Sequence, residues 1–287
     1  MTSGSFAQGS VCWAERVRAL PWGCLAKPQD DGQDLRAVQF LLANTTSPGR
    51  PSVHVRQTPV GRLRVGIVYD RAELATAGLA GHVDAADDDP RIAAGLALLR
   101  RWPEGRAMAR ELLEVLHPAL EPDLQPGGAT LAIRSSSHSS EDRFGSLWAT
   151  INSPIGLAQA VVHELAHHKL RALGVAEERA YTVVANDATE CRPSPLVAWP
   201  RPMTAVLHAQ YALVHITALD VALLETARSS AERKALGRSF RCHAALLREG
   251  ARTLRKYLVV DAVGVAFMRG LWDWMEQTVA RGYRHAA

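Results

Sequence analysis

Val161-Val162-His163-Glu164-Leu165-Ala166-His167-His168-Lys169-Leu170 contains the pattern His-Glu-x-x-His, and the rest of the chain is read outward from it. On an α-helix His163 and His167 lie one turn apart on one face, where both imidazoles reach a single ion. Glu164 sits about 100° round the helix from His163 and about 60° from His167, close enough to touch a water or substrate on that ion. The pattern arises by chance in only ~2% of chains of this length, which favours a metal site over ordinary helix histidines. Val161, Val162, Leu165, Ala166 and Leu170 make the helix largely buried, and burying two histidines and a glutamate without partners is costly.

The helix has legible ends. Ser153 is a natural cap, Pro154 suits the first helical position, and Gly174 marks the stop. Gly156 and Ala160 share the histidine face and leave room for a substrate or a neighbouring element. Upstream, Val53 and Val55, then Leu63, Val65, Ile67 and Tyr69, alternate with polar residues about the turn Thr58-Pro59-Val60-Gly61, which predicts an antiparallel hairpin. A second strand pair is expected at Ala129 to Arg134 and Gly145 to Ile151, joined by the polar loop Ser135 to Asp142. Helices are expected over Leu35 to Ala43, Arg91 to Arg101 and Glu104 to Leu116, with a break at Trp102-Pro103. Residues 1–32 carry no assignable element.

Downstream, residues 175–200 end in a proline-rich stretch that resists regular structure. Pro200 and Pro202 then fix the entrance of a long helix running to about Arg228. Arg201 stands at or just outside its N-terminus, where a cation opposes the helix dipole, a position most easily explained by a bound anion. His208 follows about two turns along the same face, and His215 about two turns beyond that. Ser229 and Glu232 form a capping box for a helix to about Val259, and a last helix covers Asp261 to Tyr283. The whole predicts one α+β unit over 1–287, mainly α-helical, with a small antiparallel sheet before the metal-binding helix and a metal-site core at 154–228.

Composition narrows the function. With 287 residues, 47% hydrophobic and 22% charged, the chain is expected to be globular. No run approaches the ~18 uninterrupted apolar residues of a membrane span. The start Met1-Thr2-Ser3-Gly4-Ser5-Phe6 has neither a basic nor an apolar secretory segment, so a cytoplasmic location is expected. Four cysteines without CxxC spacing suit reduced thiols. The net charge of +4 is not gathered into basic clusters interleaved with aromatics, which argues against nucleic acid as a partner.

Two histidines from one helix need a third ligand. Glu177, Glu178 and Glu190 lie at distances a thermolysin-like zinc peptidase would use, with Glu164 as general base on the zinc-bound water. The metzincin extension is absent, since His168-Lys169-Leu170-Arg171 follows where glycine and a further histidine are required. The alternative third ligand is His208, and three neutral imidazoles suit zinc, iron, copper or nickel. An iron site with open positions accommodates a 2-oxo acid and O2, whose distal carboxylate Arg201 would hold through a charge-assisted pair.

Val162-His163-Glu164-Leu165-Ala166-His167-His168-Lys169-Leu170, then Ser194-Pro195, then Pro200-Arg201-Pro202-Met203-Thr204-Ala205-Val206-Leu207-His208, resemble the HExxH-motif peptide-modification proteins of ribosomal natural-product clusters. The resemblance is specific over about 160 to 215. It implies an iron(II)- and 2-oxoglutarate-dependent oxygenase that hydroxylates side chains, typically at the β-carbon, in a precursor peptide. By position, His163, His167 and His208 would hold iron and Arg201 would anchor 2-oxoglutarate. In such an oxygenase the expected role of Glu164 is to hold a metal ligand from behind or to contact the substrate, where in a peptidase it would be the base. This sequence departs from the family at Leu196-Val197, where Trp-Arg is usual, and at Trp199, where Asp is usual. A zinc metallopeptidase and a peptide-binding protein without turnover are the competing expectations.

Overall fold

The computed structural model describes residues 17–29, 31–42, 54–122, 133, 135–194, 197 and 199–286. Two short helices, α1 (Trp22–Leu25) and α2 (Gln33–Leu42), precede the hairpin β1 (His54–Thr58) and β2 (Gly61–Val65). Next come α3 (Arg71–Thr76), β3 (Val83–Asp84), α4 (Pro90–Leu98), α5 (Pro103–Leu112), β4 (Val115–Leu120), β5 (Ser137–His138) and β6 (Ser146–Thr150). The helix carrying the motif is α6 (Pro154–Ala172). After the short pair β7 (Cys191–Arg192) and β8 (Arg201–Pro202), three long helices close the chain: α7 (Met203–Glu225), α8 (Ser230–Tyr257) and α9 (Ala262–His285). The protein is thus mainly helical with a small sheet ahead of the motif helix, as expected.

Pairing within that sheet is mixed, where the sequence predicts an antiparallel sheet. The order is β1-β2-β4-β6-β5, with β3 also on β4; β2 and β6 both run parallel to β4, whereas the β1–β2, β3–β4 and β5–β6 pairs are antiparallel. The central strand β4 falls where the sequence predicts the end of a helix. Leu112-Leu113-Glu114-Val115-Leu116 continues the helical period, and a strand buried on both faces shows no alternation to contradict it. Val115 to Ala119 are all buried. The predicted strand at Ala129 to Arg134 lies outside the described residues except Ile133, and the antiparallel partner of β6 among the described residues is β5, inside the polar serine loop. Residues 1–32 also hold an element the sequence does not announce: α1 packs on α9, with the Trp22 and Phe267 rings edge to face at 6.3 Å.

Helix α6 forms the middle of the protein. Ser153 Oγ accepts from the Gly156 amide at 3.2 Å, Pro154 opens the first turn, and Gly174 takes φ +89°, the left-handed stop that glycine adopts without strain. Its neighbours are α2, α4, α5, β5, β6 and α7. Contact with α4 is close: a Cβ on Gly95 would stand 2.7 Å from Leu157. With polar Gln159, Glu164, His168 and Lys169 buried among apolar residues, α6 is covered on nearly all sides. Helix α7 is apolar and long enough to cross a membrane by length and composition, but 89% of its apolar window is buried against the rest of the protein.

Candidate metal centre

Three histidines meet where α6 crosses α7. His163 Nε2 lies 3.0 Å from His167 Nε2, and His167 Nδ1 lies 2.9 Å from His208 Nδ1. Two nitrogens bound ~2.0–2.1 Å from one ion stand ~3–3.4 Å apart, so the motif pair is spaced as ligands of one metal are. His167 faces its neighbours through opposite ring nitrogens, and the imidazoles therefore stand in a row. One lone pair per ring goes to an ion, so gathering all three on one ion requires a side chain to turn. The His208 Nε2–H donates to the Val175 carbonyl at 2.7 Å, which fixes the tautomer and leaves Nδ1 as the donor atom toward His167. Burial pushes the His208 imidazole down to about 4 despite the pull of Glu177, and burial together with the neighbouring histidines takes His167 well below its ordinary value. Both are neutral near pH 7, the state a metal ligand needs.

Glu177, ten residues past His167 in the sequence, also approaches. Ligand atoms of His167, Glu177 and His208 all lie within 4.8 Å of one another. Both Glu177 oxygens already have partners: Oε1 accepts from Arg171 at 2.9 Å and Oε2 from Arg201 at 3.3 Å. Burial alone would raise the Glu177 carboxyl, but His208, Arg171 and Arg201 hold it below the usual carboxylate range. The anion expected beside Arg201 is thus supplied by the chain itself. Arg201 stands in β8 just ahead of α7, as its flanking prolines dictate.

Glu164 is buried and held at both ends, since Ser137 Oγ donates to Oε1 at 2.6 Å and Ser139 Oγ to Oε2 at 2.5 Å. Its Oε1 is 3.8 Å from His163 Nε2. Ser139 Oγ in turn accepts from Arg171 Nη1 at 3.0 Å. A continuous polar chain therefore runs from Glu164 through Ser139, Arg171 and Glu177 to Arg201. Arg171 was open to detection in the sequence, because it sits one turn beyond His167 on the same helix face; nothing local announces Ser137 and Ser139.

Beside His163 opens a cavity of about 410 Å³ walled by α6, α7, α8 and the β5 region, with Ala160, Leu213, Ile216 and Leu246 in its lining. The small Ala160 leaves the room its position predicts. His168 points away from the metal centre, its Nε2–H donating to the Ser146 carbonyl at 3.1 Å. His215 is buried against Tyr211, Trp102 and Trp274. Cys191 is exposed in β7.

The donor set suits a divalent first-row metal. Neutral imidazoles and a carboxylate match iron or zinc, and no soft thiolate is among them. Fold and site together define a helical α+β protein with a candidate His-Glu-x-x-His metal centre. Comparison with known families and with curated proteins gives no match to this chain.

Proposed function

We propose that the chain is an iron(II)- and 2-oxoglutarate-dependent oxygenase that hydroxylates a side chain, at the β-carbon, of a ribosomally made precursor peptide. The observation that carries the reading is the joint placement of His163, His167 and His208 with Arg171 and Arg201 gathered on Glu177. In this reading the three histidines hold the iron and Arg201 binds the distal carboxylate of 2-oxoglutarate, which competes with Glu177 for its guanidinium. Iron bound with its 2-oxo acid would supply, with O2 as the oxidant, the chemistry that a carbon without an acidic proton requires. The chain's own residues bind and orient. His208 is fixed by Val175, Glu164 is fixed by two serines, and the cavity beside His163 receives the peptide side chain.

A zinc metallopeptidase is the second reading, favoured by Glu164 Oε1 at 3.8 Å from His163 Nε2 and by Glu177 as a carboxylate near His167. The experiment that separates them is anaerobic loading with Fe(II) followed by 2-oxoglutarate. A metal-to-ligand charge-transfer band is expected in the visible spectrum. Absence of that band together with peptide cleavage by the zinc-loaded protein would replace the oxygenase with the peptidase.

A further inference from the structure

The cavity beside His163 has a polar end built by a buried carboxylate. Asp220, on α7, is fully buried. Its Oδ1 accepts from Gln159 Nε2 at 2.7 Å and its Oδ2 from His243 Nδ1 at 2.8 Å. Gln159 Nε2 also reaches Ser239 Oγ at 3.1 Å. Gln159, from α6, and His243, from α8, both line the cavity, together with the apolar Leu213, Ile216 and Leu246.

Asp220 decides what these two side chains offer. A carboxylate only accepts, so the group that Gln159 turns toward it is the NH2, and the atom left for the cavity is the carbonyl Oε1. By the same logic the His243 nitrogen turned toward Asp220 is an Nδ1–H, and in the neutral ring Nε2 is left as a lone pair. With the ring neutral, both free atoms are acceptors. Behind them lies a buried negative charge, which draws a donor or a cation and repels an anion. At about 410 Å³ the cavity falls within the ~300–1,000 Å³ range of small-ligand sites.

We propose that Gln159 and His243, set by Asp220, form the specificity end of the substrate cavity, which takes a side chain with an aliphatic stem and an N–H-donating tip. The proposal rests on the proposed function only in taking this cavity as the substrate's. The stem lies against Leu213, Ile216 and Leu246, and the tip donates to Gln159 Oε1 and His243 Nε2. Two sources share that chemistry: a cationic lysine- or arginine-like side chain and a neutral carboxamide.

The test uses the full chain treated with EDTA, so it is independent of iron. Titration with n-butylamine, butyramide and butyrate is followed by nitrogen-proton NMR of the histidine rings. At about pH 8, above the ordinary imidazole range, and before any probe is added, His243 should show the neutral Nδ1–H tautomer; a doubly protonated ring there would overturn the proposal. Butylammonium and butyramide should shift its resonances and bind about tenfold or more tightly than butyrate, the range expected for one or two well-made hydrogen bonds. Tighter butylammonium supports a cationic side chain, and tighter butyramide a carboxamide. His243→Leu and Gln159→Leu should each erase most of the preference. Butyrate binding as well as the donors, probes that leave His243 unmoved, or a preference surviving both substitutions would overturn the proposal. The tautomer and the probe ranking need no variant, so a poorly folding variant leaves the test intact. Failure of the oxygenase reading would appear separately, as a missing charge-transfer band with the probe ranking unchanged.

Discussion

Lys169 sits in the motif helix two residues after His167, and its ammonium is fully buried. Nζ donates to Asp34 Oδ2 at 2.5 Å, the two side chains being 0% and 1% exposed. Asp34 Oδ1 accepts from the Gln29 amide at 3.0 Å, so the carboxylate is used on both oxygens. Burial pushes the Lys169 pKa down and Asp34 draws it back up. Replacing one partner strands a charge in the interior. Lys169→Met should therefore destabilise the protein by about 3–5 kcal/mol, the cost typical of an uncompensated buried charge. Replacing both partners, as in Asp34→Leu with Lys169→Met, removes the desolvation penalty with the attraction and should return stability to within about 1 kcal/mol of the parent. Urea unfolding of the metal-free protein, followed by far-ultraviolet circular dichroism, measures all the variants needed for the cycle. A single variant costing less than about 1 kcal/mol would refute the reasoning, because it would mean that water reaches the pair. So would a double variant no more stable than Lys169→Met.

His168 and His215 are pushed to about 3 by burial, with the nearby cations Arg171 and Lys169 respectively adding to the effect. The unfolded chain binds those protons near pH 6.5, so the stability the two neutral rings confer is complete above that pH and is lost as pH falls toward 3. Between pH 6.5 and 5 each should cost about 2 kcal/mol, and His215→Phe should remove about half of their combined slope in denaturant titrations; an unchanged slope would count against it. His208→Ala and His163→Ala should each abolish tight Fe(II) binding by equilibrium dialysis, whereas a peptidase using Glu177 as third ligand would keep most of its zinc affinity without His208. Glu177→Gln should retain iron and tighten 2-oxoglutarate binding, since Arg201 then has no internal carboxylate partner; loss of iron instead would make Glu177 a ligand.

Much of the fold was legible because its signals are local. Ser153-Pro154 and Gly174 bracket α6, Pro202 opens α7, and Ser229 caps α8 by accepting from the Glu232 amide at 3.1 Å. The hairpin turned at Thr58 to Gly61 as its alternation predicts. Strand β4 was hidden because burial on both faces erased the period that separates strand from helix. Strand β5 was hidden because an edge of serine and histidine reads as loop. In the site, the motif histidines and Arg201 announced themselves through spacing and proline flanks. The partners of Arg201, Glu164 and Lys169 did not, since Glu177, Ser137, Ser139 and Asp34 reach them through space from other elements.

Charge at the centre bears on which reading of the motif the polar chain favours. Two carboxylates, Glu164 and Glu177, stand with two guanidiniums, Arg171 and Arg201, around neutral imidazoles, so the side chains nearly cancel before any ion is bound. A divalent metal adds two positive charges to a half-buried place where Arg171 is 10% exposed. Uncompensated charge in such a setting is expensive, and a hydroxide on the metal offsets only half of it. A dicarboxylate such as 2-oxoglutarate would offset it fully, and in the proposed reading Arg201 is the cation that its far carboxylate pairs with. Glu164 fits the same scheme. Each of its oxygens accepts a short hydroxyl hydrogen bond, which holds the carboxylate in one place beside His163. A peptidase needs a carboxylate free to take a proton from water, whereas the proposed oxygenase needs only a fixed one.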